Sequence, residues 1–485
     1  MHWLVFLING RVRPGILLFA LLVSAGCAGY HKPDVPQVED LMHSSMPTPS
    51  TKAPEVSVVE SSSSPTLVRS GERWLTLEGC VQIALDKNPM NRAAKEGVVA
   101  VEEAVGVARA PYYPTLGLTA GYDRWTRHAF LPSGVTTSSD QIGPTDDWST
   151  GLEARFTIFD FGARRANLRA AIAEQGATEE DAAKIRQDIA LDVHQSFYSL
   201  VATKENLSVA EKKLDRTEDH LRLTKTRHDA GAVPIADVYR AQVEVADAQL
   251  ELVRAKNLVR IASGDLNTAM GLPVELSVGV DARAEKIESP ENIVLDQAFA
   301  QAVHMRPELK SALYGIAARR HRVDEAKSAF GPTVEVFGNY GWRDEVFLPE
   351  DEDWLAGLSL ELPIFSGFSN KHKLAQTKAE LRQTEADTLR LVQEVRREVW
   401  NAHSNLIESF ETIQAAEVLV EDAQESMRTT RKRYEVGAGT ITDLLDAQTS
   451  LARAEATDVE ARWNYHIAKA QLQRATGDLL GGSQY

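Results

Sequence analysis

The second half of this chain repeats, in the same order, the landmark residues of its first half. Leu77, Ala84, Pro89, Ala108, Pro114, Thr115 and Tyr122 recur 218 residues later as Leu295, Ala302, Pro307, Ala326, Pro332, Thr333 and Tyr340. Trp148, Gly151, Leu152, Ile158, Phe159, Arg227, Gly231, Asp237, Gln242 and Gly271 recur 206 residues later, as Trp354 to Gly477. The first copy therefore carries 12 additional residues between Tyr122 and Trp148, as surface loops tolerate. We predict one structure made of two equivalent repeats, residues 73–290 and 291–485.

The N-terminus resembles an export signal. Two arginines precede an apolar run, Gly15 to Ala25, that is too short to cross a bilayer. The next residues resemble a lipobox, in which cleavage leaves an acylated cysteine at Cys27, although Ser24 stands where that pattern prefers leucine. We predict a signal peptide over residues 1–26 and lipidation of Cys27; an ordinary signal peptide with an incidental cysteine is the alternative. Residues 27–72 are rich in proline and serine, which indicates a tether without regular structure.

Composition and motifs exclude several classes of function. The formal net charge is -16, which argues against nucleic acid as a partner, because phosphate binding requires lysine and arginine. The sequence has no His-Glu-x-x-His motif, no glycine-rich phosphate loop and no Gly-x-Ser-x-Gly. Its 12 histidines show no metal-ligand spacing. We therefore predict that the protein is not an enzyme and holds no metal or cofactor.

Four segments alternate apolar and polar residues, which indicates strands with one apolar face. They are residues 112–127, 148–159, 331–343 and 354–365, and aromatic residues lie near their ends. Segments of about ten residues with aromatic girdles are typical of outer-membrane barrels. Long polar loops, through Asp140 to Asp147 and through Glu350 to Asp353, are expected within each pair of strands. A soluble antiparallel sheet with one face on a core is the alternative.

Four strands are too few to close a barrel. An open sheet edge in lipid leaves unpaired amides that cost several kcal/mol each, and small barrels begin at about eight strands. The strands must therefore close with those of other copies. The strand count alone does not choose between two, three or four copies.

Two long helical patterns occupy equivalent places in the repeats, from Gly162 to His228 and from Phe368 to Tyr434. Each would be roughly 100 Å long at 1.5 Å per residue. Apolar residues recur every seven positions, and after the turns alanine keeps the same interval, which predicts left-handed supercoiling. The alternative from these segments alone is a soluble coiled-coil rod. Shorter helices end at Asn88 and Arg306, because each of these residues precedes a proline.

The duplicated order of helices and strands, together with two turn motifs, resembles the TolC-type outer-membrane efflux channels. The motifs are Arg227 to Asp237 and Arg433 to Asp443, and the residues after Cys27 are similar to the lipoprotein branch of that family. The resemblance covers residues 73 to about 480. It implies a mixed fold, a membrane β-barrel plus an α-helical barrel, that closes as a trimeric tunnel of 12 strands and 12 helices.

The resemblance also implies a function and partners. The protein would be the passive outer-membrane exit duct of a tripartite efflux system, embedded in lipid and extending into the periplasm. Its partners would be a periplasmic adaptor and an inner-membrane pump, and its cargo small molecules. A channel for type I protein secretion is the alternative; a structural coiled-coil lipoprotein of the envelope is a further one.

Site residues follow from the same resemblance. The periplasmic tips at 231–236 and 437–442 would contact the adaptor through Gly231, Ala232, Val233, Gly437, Ala438 and Gly439. Asp443 and Asp446 match the carboxylates at the narrowest point of the family's pore; being three apart, they share one helix face, and a carboxylate ring favours cations. A solvated helix start is the alternative, and the first copy has Arg240 in place of the second acid.

A second pair of residues would hold the tip shut. Asp237 and Tyr434 match a family pair that forms a hydrogen bond between neighbouring coils. The family arginine that assists this lock is missing, since Gly439 occupies its position, and Ala236 replaces a family threonine. The closed state is therefore expected to be looser here, or held by other contacts.

Overall fold

The computed structural model describes residues 74–128, 141–281, 287–290 and 293–481. The predicted signal peptide, Cys27 and the tether lie outside the described residues. The helices are α1 (Leu77–Lys87), α2 (Pro89–Arg109), α3 (Ala163–Asp229), α4 (Ile235–Ala269), α5 (Leu295–Met305), α6 (Pro307–Ser328), α7 (Ser369–Glu435) and α8 (Ile441–Thr476). The strands are β1 (Trp74–Leu75), β2 (Thr115–His128), β3 (Gln141–Phe159), β4 (Gly279–Val280), β5 (Thr333–Asp344) and β6 (Glu352–Glu361).

The order helix, helix, strand, strand, long helix, helix occurs twice along the described chain. The long helices α3 and α7 both have 67 residues. None of the helices in the described ranges combines the length and apolar content needed to cross a bilayer. The chain forms two compact units. The strand unit contains residues 99–128, 141–177 and 313–386, and the helix unit contains the other described residues.

The strand unit contains a four-stranded antiparallel sheet in the order β2-β3-β5-β6. Its register aligns apolar residues across all four strands: Leu118 lies opposite Leu152, Leu152 opposite Tyr340, and Tyr340 opposite Trp354. These four side chains are between 49% and 77% exposed. The predicted alternation therefore gives a sheet with an apolar face that the described residues leave uncovered.

The predicted loop between the first two strands is wrong over its second part, because β3 begins at Gln141. Asp146 and Asp147 are paired strand residues, opposite Arg124 and Asp123. Their carboxylates find partners across the sheet: Tyr122 donates to Asp146 at 2.8 Å, and Arg343 donates to Asp147. Because neighbouring strands supply hydrogen-bond donors to these carboxylates, Asp146 and Asp147 are accommodated within the paired strand.

Two predicted strand ends are also corrected. The first strand begins at Thr115 and not at residue 112, since Ala110–Tyr112 form a single 3-10 turn. The last strand ends at Glu361, which pairs with Thr333, and not at residue 365. Pro363 explains the second correction, because it has no amide hydrogen to give to the ladder.

Prolines set the helix boundaries near the start of each repeat. Asn88 and Arg306, the residues before Pro89 and Pro307, have extended backbone, with ψ of 126° and 123°. The side chain of Asn88 donates to the carbonyl of Ala269 at 2.9 Å. The backbone before each proline therefore leaves the helix at the predicted place.

The helix unit is held by an apolar core and by buried charges. The heptad residues Val193, Leu200, Val399 and Leu406 are at most 2% exposed. A cluster of ion pairs lies in the same unit and joins segments from both repeats. Its pairs are Arg306 with Glu308 (2.9 Å) and Glu398 (2.5 Å), and Arg474 with Asp188 and Glu308 (both 2.7 Å).

Candidate functional site: the helix tips

The two tip turns have the same backbone geometry. Gly231 and Gly437 have φ of +72° and +78°, a conformation that only glycine adopts without strain. In the first turn the amide of Ala232 donates to the carbonyl of Arg227 at 2.8 Å; in the second the amide of Ala438 donates to Arg433, also at 2.8 Å. These bonds satisfy carbonyls that a helix end otherwise leaves unpaired. The glycines therefore end α3 and α7 in the same way.

The predicted adaptor-contacting residues lie in these turns. Gly231, Ala232, Gly437 and Ala438 are exposed, whereas Val233 and Gly439 are half-buried. The carbonyl of Val233 is 3.0 Å from Nδ1 of His228, which fixes the first turn. The exposed atoms are thus mostly backbone and methyl groups. Contact with an adaptor stays a prediction.

Asp443 has a definite structural role at the start of α8. Its carboxylate accepts the amide hydrogen of Thr440 at 3.1 Å, while its own amide donates to the hydroxyl of Thr440 at 3.1 Å. This reciprocal capping box satisfies two donors at the helix start. The hydrogen bonds from Thr440 lower the pKa of Asp443, so the carboxylate is ionised at neutral pH.

Asp446 follows one turn later on α8 and is exposed, as is Asp443. The structure therefore presents two carboxylates on one helix face near the tip. The helix-start alternative describes what Asp443 does within one chain. A pore role for both residues stays a prediction, and it is compatible with capping because the cap leaves the carboxylate charged.

The equivalent position of the first repeat is built differently. The capping residue of α4 is Pro234, which has no side chain able to accept a hydrogen bond. Asp237 is 3.5 Å from Arg240, and the Asp237 side chain is only 15% exposed. The first repeat thus has an acid paired with an arginine where the second has two exposed carboxylates, one of which caps its helix.

Tyr434 is buried, at 2% exposure, within an apolar cluster of α7 and α8, and it makes polar contacts to α3. Its hydroxyl lies 3.2 Å from that of Thr224. The guanidinium of Arg227 stacks on its ring at 4.8 Å and donates to its carbonyl. No hydrogen bond of the described residues joins Tyr434 to Asp237, so the chain does not bring the predicted lock pair together by itself.

Arg227 and Thr224 are the site residues that sequence reasoning missed. The position of Arg227, four residues before the tip glycine, is repeated by Arg433, and this repetition was the available signal. The two arginines act differently, however, since Arg433 reaches only the carbonyl of Ala438 in its own turn, at 3.4 Å. Arg227 instead ties α3 to α7.

The chain is similar to known outer-membrane proteins. The chain is 28% identical over 420 residues to the protein CyaE of Bordetella pertussis, and the match covers 84% of each chain. It is 24% identical over 413 residues to the pyoverdine export outer membrane protein OpmQ of Pseudomonas aeruginosa, covering 83% of this chain and 85% of OpmQ. The solved CmeC outer membrane channel of Campylobacter jejuni has a TM-score of 0.73 at 16% identity, over 89% of this chain and 96% of CmeC, which shows the fold alone.

The family comparison identifies the chain. Residues 80–272 and 298–478 match the family described as outer membrane efflux protein. The match includes both long helices, both tips and all four strands of the large sheet. It covers well over half of the sequence. The chain therefore belongs to the family of TolC-type outer membrane efflux proteins, which are ducts and not enzymes.

Proposed function

We propose that three copies of this outer-membrane efflux protein form one exit duct that passively conducts small molecules from the periplasm to the exterior. In this assembly the four strands of each copy, β2, β3, β5 and β6, contribute to a 12-stranded barrel. The four helices α3, α4, α7 and α8 of each copy contribute to a 12-helix barrel. The repeats at 73–290 and 291–485 would be the two equivalent halves of each subunit.

The sheet edges support the assembly of several copies in this proposal, and the likeness to TolC-type channels supplies the number three. Within the sheet, β2 pairs only with β3, and β6 pairs only with β5. Both outer strands therefore offer free amide and carbonyl groups along one side. The exposed row of Leu118, Leu152, Tyr340 and Trp354 suits lipid, but unpaired edges in lipid cost several kcal/mol each. Pairing β2 of one copy with β6 of the next removes both edges.

The cargo and partners follow from the family. A relative named for pyoverdine export, OpmQ, supports a small-molecule cargo. Members of the family work with a periplasmic adaptor and an inner-membrane pump, and we propose that the tips at Gly231 and Gly437 receive the adaptor. Acylation of Cys27 would add a lipid anchor to the barrel.

We assign the narrowest point of the duct to Asp443 and Asp446. Three chains would supply six carboxylates, which favour cations. The contacts of Tyr434 with Thr224 and Arg227 hold α7 against α3 beside this point. These contacts would replace the fastening that the family arginine provides at the position of Gly439. Asp237 would take part only through contacts between subunits.

The duct is tested by size and by conductance. Light scattering of the mature protein in detergent should give a trimer; a monomer would refute the edge argument. In planar bilayers, Asp443→Asn with Asp446→Asn should raise the conductance and reduce the cation preference. Asparagine retains an oxygen that accepts the amide hydrogen of Thr440, so the helix start is preserved.

The matched control is Glu460→Gln, which removes an exposed carboxylate from the same helix α8 at a distance from the tip. It should leave both conductance and selectivity unchanged. If the double variant and the control behave alike, Asp443 and Asp446 do not line the narrowest point.

A further inference from the structure

A strip of buried polar side chains interrupts the apolar packing of the coils near the tips. Thr217, His220 and Thr224 lie three and four residues apart on α3, so they share one face. They are between 0% and 3% exposed. Gln448 of α8 and Tyr434 of α7 are both 2% exposed. Such a strip costs stability unless its groups are paired, so its composition calls for a physical reason.

His220 is not satisfied by the protein. Its Nε2 is buried and has no hydrogen-bond partner, and neither does either amide atom of Gln448, within the described residues. A buried polar atom left unpaired costs roughly 1–3 kcal/mol. The imidazole also lines a cavity of about 420 Å³ between α3, α7 and α8. The other lining residues are Arg216, Asp219, Gln424, Met427, Arg428, Arg431, Lys432, Glu435 and Leu451.

The charges around His220 oppose its protonation. Burial, together with Arg431 of α7 and Arg216 of α3, lowers its pKa, while Asp219 and Glu435 act in the opposite direction. Both carboxylates are already engaged: Asp219 pairs with Arg222 at 2.7 Å, and Glu435 with Arg431 at 3.0 Å. The imidazole is therefore neutral at neutral pH.

The remaining charges that face this cavity do not change that conclusion. From α3, Arg216 makes a bidentate pair with Glu455 of α8, at 3.0 and 2.8 Å. From α7, Arg428 is paired with Glu425, and Lys432 adds a further cation. From α8, the cavity is lined by Leu451, which is apolar. A proton on His220 would thus add a cation among cations whose acids are occupied.

A chain of hydrogen bonds connects His220 to the tip. The hydroxyl of Thr224 donates to the carbonyl of His220 at 2.8 Å, so the hydroxyl of Tyr434, 3.2 Å away, must donate to Thr224. The guanidinium of Arg227 lies over the ring of Tyr434, 4.8 Å from its centre. Displacement of α3 from α7 at His220 would therefore break the contacts that fasten Tyr434.

We propose that His220 makes the fastening of α3 to α7 sensitive to pH, so that acidification of the periplasm loosens the coils beside the tips. At neutral pH the uncharged imidazole permits close packing. In acid, the imidazolium on α3 is repelled by Arg431 of α7, and α3 separates from α7. The effect on packing stands on these contacts alone, whereas its effect on conduction rests on the proposed duct.

Hydrogen exchange of the purified trimer tests the packing at about pH 7.5 and about pH 5, with rates corrected for the intrinsic effect of pH. In the wild type, amides of α3 and α7 around His220 and Tyr434 should exchange several-fold faster in acid. His220→Gln, which is close in size and cannot become charged here, should abolish that increase. His372→Gln is the matched control, because His372 is an exposed histidine near the other end of α7 and its replacement should leave the increase intact.

A second variant guards against misfolding of the first. Arg431→Gln removes the repelling cation of α7 and should shrink the acid-induced increase while His220 remains. Unchanged protection of the wild type at both pH values would overturn the proposal, and so would an increase that persists in His220→Gln.

Bilayer conductance of the same proteins then separates the two proposals. Asp443 and Asp446 are present in every variant, so their contribution to pH dependence is common to all. A wild type that exchanges as expected but conducts no ions would refute the duct and leave the pH-sensitive packing in place. Conductance without an acid-induced change in exchange would refute His220 and leave the duct.

Discussion

Replacing Glu308 by glutamine should be among the most damaging single changes in the helix unit. Its carboxylate accepts Arg306 at 2.9 Å and Arg474 at 2.7 Å. The side chains of Glu308, Arg306 and Arg474 are 11%, 3% and 14% exposed. Glu308→Gln keeps the shape of the side chain but removes the least exposed carboxylate of the cluster, so that Arg306 keeps only Glu398 and Arg474 keeps Asp188 and Glu398 among the described residues.

The magnitude follows from the protonation of this carboxyl. Burial alone would raise the pKa of Glu308, but the hydrogen bond and charge of Arg306, with the charge of Arg474, lower it from 4.5 to about 2. At about 1.4 kcal/mol for each pKa unit, the ionised form contributes on the order of 3 kcal/mol to folding. Removing one partner of a buried ion pair costs about 3–5 kcal/mol, and this range agrees with the contribution obtained from the pKa shift.

The sign of the pH dependence is fixed by the direction of the shift. The pKa in the folded state lies below that of the unfolded chain, so the contribution is complete above the unfolded value of 4.5. It is lost as the pH falls through about 2. Glu308→Gln should therefore be less stable than the wild type at neutral pH, and the difference should shrink towards pH 2.

The assay is chemical unfolding in detergent at fixed protein concentration, followed by helical circular dichroism, since assembly shifts apparent stability. Glu394→Gln is the control: its carboxylate pairs with Arg390 at 2.7 Å, and the two side chains are 42% and 62% exposed. An exposed pair contributes at most about 1 kcal/mol. Equal losses in the two variants, or a loss in Glu308→Gln that does not shrink in acid, would refute the reasoning.

Two further predictions concern other buried features of the helix unit. Gly271 has φ of +72°, and a Cβ there would lie 2.7 Å from Cα of Asn88, so Gly271→Ala should destabilise the protein by more than the roughly 1–2 kcal/mol of backbone strain alone. Gly231 also has φ of +72°, but a Cβ added there would have no atom within 4 Å. Gly231→Ala should therefore lower the stability measured by thermal unfolding only by the backbone strain. Cys80 is fully buried, and burial, with the charge of Glu78, raises its pKa to about 12. Iodoacetamide should therefore label Cys80 only after unfolding, and rapid labelling of the folded protein would contradict its burial.

Much of the fold could be predicted because its signals are local. A proline restricts the residue before it, and this placed the ends of α1 and α5 at Asn88 and Arg306. A glycine permits a left-handed turn, and this placed the tips at Gly231 and Gly437. Pro363 carried the same kind of information, since it lacks an amide hydrogen, but the apolar alternation continued past it and gave a strand that was too long.

The strand residues Asp146 and Asp147, which lie in a segment predicted as a loop, could not be predicted in the same way. A cluster of acidic residues indicates a loop when only the local sequence is considered. Asp147 lies in a strand because Arg343, 196 residues away, donates to it. That contact depends on the register between β3 and β5, which alternation within one strand does not determine.

The same limit applies to the contacts of the candidate site. Thr224 and Tyr434 are 210 residues apart, and Arg227 and Tyr434 are 207 apart. Their contact arises from how the supercoiled helices pack, whereas the heptad pattern specifies only which face is apolar. His220 and Gln448 are polar residues on such packed faces, and their burial is evident only from the three-dimensional structure.

The duplication explains why the two tips share a backbone but differ in charge. The turns require glycine at 231 and 437 and the carbonyls of Arg227 and Arg433, and these are the residues that recur. Nothing in the turn geometry requires Arg240 or Asp446, which occupy the same place in the two repeats with opposite charges. Backbone constraints therefore preserve the repeat, while exposed side chains are free to diverge. For this reason we expect ion selectivity to reside in the second tip. Both positions carry an acid there, Asp443 and Asp446, whereas the first tip has Arg240 at the second position.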